Sequence, residues 1–195
     1  MKNSEVDFKD MKISQTMSCT EIFQSIGKRQ IQALMFHDQM YDLYDFLNLP
    51  GFKQWHRHQY MAESKEFLNT KKYFMSTHNK LLNLTSAEQP DSVIPASWYS
   101  YTRFDVTSQL VRQHTETSFN DYRCWEEDTK LMYQELSKML LDTGHVADAN
   151  MVDSLIADVT SELESLYDTL LRLKATNYDS VYILDIQDSI YKKYK

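Results

Sequence analysis

The chain has 195 residues, a net charge of −7 and a pI near 5.3, with 3 Gly and 3 Pro against 13 Tyr and 10 Met. That length suits one well-filled core rather than two. The acidity argues against the basic footprint of a general nucleic-acid or membrane-surface binder, and the scarcity of turn formers points to long helices rather than sheets. The first residues, MKNSEVDFKDMKISQ, lack an apolar secretory core, and no run approaches the length of a membrane span, so a cytoplasmic protein with no nucleic-acid or membrane partner is expected. Cys19 and Cys124 share no CxxC or Cys/His zinc spacing and read as reduced, free thiols.

Residues 1–19 are polar and without a sustained period, which predicts a flexible arm ahead of a single helical domain over 20–195. A first helix begins near Thr20, with Ile26, Ala33, Phe36, Met40, Leu43 and Leu47 as its apolar stripe, and NLPG at 48–51 stops it. A second helix runs from about Gly51 to Leu84, its face marked by Phe52, Trp55, Tyr60, Phe67, Tyr73, Phe74, Leu81 and Leu84. The short break makes the two an antiparallel pair. Residues 85–101 form a long connection whose Val93, Ile94, Trp98 and Tyr99 suit packing on the bundle. A third helical stretch spans about Arg103 to Leu141, as one helix or as two broken near Thr117 and Ser118, and Gly144 supplies its stop. The fourth, about Ala147 to Lys174, has the stripe Val152, Leu155, Ile156, Val159, Leu163, Leu166 and Leu170. SVYILDIQDSIYKKYK closes the chain as a short fifth helix, although VYIL also reads as strand.

The second helix carries polar groups where a core should be. At about 100° per residue, Phe52, Gln59, Glu63, Phe74 and Leu81 project in nearly one direction, and His56 and Glu66 fall in the same stripe. A buried carboxylate must be paired, protonated or metal-bound. Glu63 and Glu66, one turn apart, can close on a single cation. Alternatively the helix turns slightly, and one of them meets Lys or Arg at the bundle edge. Gln59 reads as a hydrogen-bonding core residue. On the first helix Gln32 and His37 flank the stripe at the level of Glu63 and Glu66. On the third, His114 falls mid-stripe with Asp121, Glu126 and Asp128 beside it. The fourth helix is aliphatic inside, with Glu162 alone on its border. His56 and His58 point to different sides of their helix, and His78 and His145 have no partner legible in the sequence.

Two helices, a long crossover, two helices and a short fifth is an order that resembles the ferritin-like family. YDFLNLPGFKQWHRHQYMAESKEF, residues 44–67, is similar to that family's first turn and second helix, which carries an E-x-x-H iron motif. The matching positions here are Glu63-Ser64-Lys65-Glu66, with glutamate in the histidine's place. Gln32 falls near the family's first-helix glutamate and Glu126 near its third-helix glutamate, while the fourth helix has Glu162 and Glu164 but no E-x-x-H. The resemblance implies an all-α, ferritin-like four-helix bundle with its long crossover between helices 2 and 3.

Two functions follow as expectations. The incomplete ligand set, the acidic charge and the aromatic connection favour a non-enzymatic bundle that works by association, with itself or with a protein partner. The alternative is a metal-binding bundle using Glu63, Glu66, Gln32, His37 and Glu126, whose carboxylate and imidazole groups suit iron or manganese; with iron, the resemblance implies oxidation or storage.

Overall fold

The computed structural model describes residues 17–85, 94 and 100–194. Within them lie five helices: α1 (Cys19–Phe46), α2 (Pro50–His78), α3 (Ser108–Asp142), α4 (Val146–Ala175) and α5 (Ser180–Tyr194), with a 3₁₀ turn at Arg103–Asp105. Most of the expected arm, and Val93, Trp98 and Tyr99 of the connection, lie outside the described residues; Ile94 packs against the core.

Side-chain caps set the starts of α1 and α3, and proline that of α2. Ser18 and Glu21 form a reciprocal capping box at α1: the Glu21 N–H donates to Ser18 Oγ (3.3 Å) and the Ser18 N–H donates to the Glu21 carboxylate (2.7 Å). Pro50 opens α2, where its missing N–H costs nothing. The Leu110 N–H donates to Thr107 Oγ1 (3.2 Å) at α3. That cap explains why α3 starts later than its periodicity suggests: Arg103–Asp105 forms its own turn, capped by Thr102. Within α3, Thr117 Oγ1 donates back to the Gln113 carbonyl (3.0 Å), so this pair does not break the helix. The third stretch is one helix.

Helix ends explain how so few glycines suffice. Asn48, Asn79 and Asn177 take left-handed φ values of 56°, 52° and 51°, the role that glycine usually fills, and Gly144 (φ 80°) fills it after α3. The Leu49 N–H reaches the Tyr44 carbonyl (2.9 Å), the His145 N–H that of Leu140 (2.8 Å) and the Tyr178 N–H that of Leu173 (2.9 Å), the same closing bond at three helix ends. Asn79 also ends α2 six residues short of the expected Leu84, which leaves Leu81 exposed.

α1 pairs with α2, and α3 with α4; α5 lies chiefly on α2. The expected stripe of α1 is buried throughout, as are Val152, Leu155, Val159, Leu163, Leu166 and Leu170 of α4. The inner face of α2 differs from the aromatic stripe expected of it. Phe52, Trp55 and Phe74 are buried at its ends, Tyr60 is exposed, and between the ends the buried positions are His56, Gln59, Glu63 and Thr70. Aromatic pairs flank this stretch, Phe52 with Phe119 (ring centroids 4.8 Å apart) towards one end and Phe23 with Phe74 (5.2 Å) towards the other, while the apolar stripes of α1 and α4 run past it.

α5 docks where α2 begins. The Gly51 N–H donates to Gln187 Oε1 (2.7 Å), and a Cβ on Gly51 would overlap the Gln187 backbone carbonyl. A backbone obstacle cannot swing aside as a side chain can. Gly51→Ala is expected to lower the unfolding free energy by roughly 1–3 kcal/mol and to speed amide exchange across 180–194. Denaturant titration and hydrogen exchange check this; unchanged exchange in α5 would contradict it.

Candidate metal centre and the polar bundle interior

The buried polar positions of α2 face polar groups from the other three long helices. Glu63 and Glu126 are buried, and Glu66 and Glu162 are half-buried. Burial and mutual repulsion raise their pKa values together. Glu63 is held well above the carboxylate range by burial, then by Glu66, Glu162 and Glu126; Glu126 is raised by burial and Glu162. Burial, Glu162 and then the charge and hydrogen bond of Asp158 push Glu66 up to about 8, against a hydrogen bond from Gln30. Burial pushes Glu162 up to about 7, against a hydrogen bond from Gln59.

Arg29 is the buried cation of this interior. Its Nε donates to Thr129 Oγ1 (2.8 Å), its Nη2 donates to the Trp125 carbonyl (2.8 Å), and its guanidinium carbon lies 3.4 Å from the centre of the Trp125 ring. Burial lowers its pKa to about 10, so it stays charged at neutral pH and attracts Glu126 and Glu63. One positive charge faces four glutamates.

Beside them sits a neutral layer. His37 and His56 share one hydrogen bond between their Nδ1 atoms (3.0 Å), and burial pushes His37 down to about 3 and His56 well below the imidazole range. Gln59 Nε2 donates to Tyr122 Oη (3.3 Å), and Gln30 Nε2 to Thr70 Oγ1 (3.1 Å). Several buried polar atoms here lack a hydrogen-bond partner, among them Glu126 Oε1, Glu162 Oε2 and Nε2 of His37 and His56. His37 Nε2 and Glu126 Oε1 stand 4.0 Å apart, beyond a hydrogen bond but within reach of a shared ion or water.

Of the residues singled out in the sequence, Glu63, Glu66, Glu126 and His37 line this interior. Gln32 is half-buried on α1, and Arg29 and Gln30 of the same helix engage the glutamates. Their signal was available in the 3.6 period, since 26, 29, 30, 33, 36, 37 and 40 make one stripe, but polarity kept 29 and 30 out of an apolar pattern. His58 and Glu164 are exposed, and His114 is half-buried.

A second polar cluster lies at the far end of the bundle. Asp148 is buried and receives four groups: Tyr73 Oη (3.0 Å) and His78 Nε2 (2.9 Å) at Oδ1, Cys19 Sγ (3.4 Å) and His145 Nδ1 (3.3 Å) at Oδ2. Burial would raise the Asp148 carboxyl, but the bonds from His78, Tyr73 and Cys19 outweigh it and hold it below the usual range. Burial, then the charge of Asp148, pushes the Cys19 thiol up to about 12. Among the described residues, the group of three or more potential metal ligands with all ligand atoms within 4.8 Å of one another is Cys19, His78 and Asp148. Linear spacing could not reveal it, because Cys19 and Asp148 are 129 positions apart.

The glutamates set a pH dependence. A carboxyl with a raised folded pKa contributes stability that is complete below its unfolded value and is lost as the pH rises through the folded one. For Glu162 and Glu66 that loss runs through about 7 and about 8. His37 and His56 act oppositely: their contribution is present above the ordinary imidazole value and lost as the pH falls. Chelator-treated protein is expected to lose stability as the pH rises above the ordinary carboxyl range, by roughly 2–4 kcal/mol between about pH 6 and about pH 8.5. The pair Glu66→Gln/Glu162→Gln should flatten that alkaline fall. Denaturant titrations across the pH range measure it; a flat wild-type profile above pH 6 would contradict it.

No protein-family model and no curated protein sequence matches this chain. Solved structures do. An open-pore ferritin from the hyperthermophilic archaeon Archaeoglobus fulgidus superposes with a TM-score of 0.71 at 18% identity, covering 90% of this chain and 98% of that one. A humanized archaeal ferritin gives 0.68 at 18% identity over 90% and 98%. An engineered closed form of the A. fulgidus ferritin gives 0.67 at 18% identity over 90% and 97%. With five helices in the same order and the crossover between the second and third, the chain has the ferritin-like fold.

Proposed function

We propose that this protein binds a hard cation, of the iron or manganese class, among Glu63, Glu66, Glu126 and Glu162 inside the bundle. The observation that carries this reading is the concentration of four glutamates in the interior against one arginine, with Glu126 Oε1 and Glu162 Oε2 buried and without partners. Oxygen-rich donor sets suit such cations, and a cation relieves the repulsion that otherwise forces protonation. Fit to a family-type centre is partial: Glu66 stands where the motif has histidine, α1 contributes Arg29 and Gln30 rather than a carboxylate, Glu162 is the α4 donor, and no three of these carboxylates bring an oxygen each within 4.8 Å of one another, so they must draw in around the ion. Iron, when bound, supplies one-electron chemistry. The chain's own groups exclude water through the surrounding aromatic rings, and Arg29 holds part of the negative charge in place. The ferritin names of the structural neighbours support the same direction.

Elemental analysis of protein expressed with added iron and manganese tests the reading. Wild type is expected to retain stoichiometric metal, and Glu63→Ala and Glu126→Gln to lose at least tenfold in occupancy, roughly the effect of removing a ligand or its support. Metal-free wild type after reconstitution with both ions would overturn it.

A second reading, association through the outside of the bundle, rests on a separate observation. Met61, Leu68 and Met75 of α2, seven residues apart, are 63%, 50% and 50% exposed and form one apolar line along the helix. Self-association through this line would bury it. Sedimentation of wild type should then show a dimer or larger species that Leu68→Glu/Met75→Glu converts to monomer; monomeric wild type at high concentration would remove this reading. No helix among the described residues is long and apolar enough to cross a membrane.

A further inference from the structure

We propose that Cys19, His78 and Asp148 form a binding site for a zinc-class divalent cation that ties the α1–α2 hairpin to the α3–α4 hairpin. The site is separate from the glutamate interior: at 1.5 Å per residue, His78 lies about 18 Å along α2 from Glu66. Three kinds of donor converge from three helices. Cys19 begins α1, His78 ends α2 and Asp148 sits in the first turn of α4.

The spacings suit a small tetrahedral ion. Bond lengths near 2.3 Å for sulfur and about 2.0–2.1 Å for nitrogen and oxygen put ligand atoms about 3.3–3.6 Å apart. Cys19 Sγ stands 3.7 Å from His78 Nε2 and 3.4 Å from Asp148 Oδ2. His78 Nε2 stands 2.9 Å from the other carboxylate oxygen, Asp148 Oδ1, a hydrogen bond that gives way when the ring nitrogen turns to the ion. Three protein donors leave the fourth position to water. A thiolate, a neutral imidazole and a carboxylate select zinc over magnesium or calcium.

Charge and support agree with this. Binding exchanges the thiol proton for the ion, and one thiolate plus one carboxylate then neutralise a divalent charge. Tyr73 Oη donates to Asp148 Oδ1 (3.0 Å), fixing the carboxylate from behind. Phe23 and Phe74 pack on the His78 ring at 5.9 and 4.8 Å and hold its orientation. Cys19 and His78 are only half-buried, which leaves an entry path from solvent.

The test uses the full chain, stripped with chelator, then given Zn²⁺ alone or Co²⁺ alone. One equivalent of zinc should bind at this site and raise Tm, both in wild type and in Glu126→Gln, where the other centre is impaired and cannot account for it. Cys19→Ser and His78→Ala should each weaken zinc binding more than about tenfold and abolish the Tm rise. The Co²⁺ form of wild type should show a thiolate-to-cobalt charge-transfer band and the strong visible bands of a four-coordinate site, a readout independent of whether any variant folds. Absence of one-equivalent zinc binding, a cobalt spectrum without the thiolate band, or full zinc affinity in Cys19→Ser would each overturn the proposal.

Discussion

Four glutamates in the interior of a helical bundle are the constraint around which this molecule is organised. A carboxylate removed from water is costly unless something compensates it, and here each one makes the next harder to ionise. The surroundings answer that demand in layers. Arg29 supplies one fixed charge, held by Thr129, the Trp125 carbonyl and the face of the Trp125 ring. Gln30, Gln59, Thr70 and Tyr122 supply neutral hydrogen bonds. The apolar stripes of α1 and α4 pack alongside, and aromatic pairs flank the polar stretch, Phe52 with Phe119 on one side and Phe23 with Phe74 on the other. Charged groups set inside such a core are a specialised arrangement, because well-packed apolar residues in their place are often as stabilising.

Much of the fold was legible because helices announce themselves through period and caps. The apolar residues expected to line α1 are all buried, and those of α4 are buried except for the half-buried Ile156. The end of α2 was not legible from its stripe: the pattern runs on to Leu84, but Asn79 adopts a left-handed conformation and stops the helix, a local backbone choice that hydrophobicity does not record. Whether α3 was one helix or two turned on Thr117 and Ser118, whose hydroxyls bond within the helix or to Tyr44 rather than competing with it.

The polar interior was half legible. Glu63 and Glu66 stood out because they interrupt a stripe of large apolar residues, and the structure gives them the company of Glu126 and His37. Arg29 and Gln30 were hidden, since a reading that follows apolar residues passes over inward-facing polar ones. The Cys19, His78 and Asp148 cluster had no sequence signal, because its members come from a helix start, a helix end and a first turn that only the bundle brings together.

The two polar clusters differ in character, and the difference assigns them different chemistry. The central one is rich in oxygen, deep, and short of positive charge; the terminal one is compact, mixed in donor type and open to solvent. Both follow from a ferritin-like arrangement of helices whose inward positions have been filled in an individual way. The central claim is that the glutamate interior exists to hold a cation. Its most direct test is a crystal structure of the protein grown with Mn²⁺, with anomalous diffraction recorded to locate the ion. The expected result is an anomalous peak bounded by carboxylate oxygens of Glu63, Glu66, Glu126 and Glu162. An interior without such a peak, its carboxyls protonated and hydrogen-bonded to one another and to Arg29, would contradict the account.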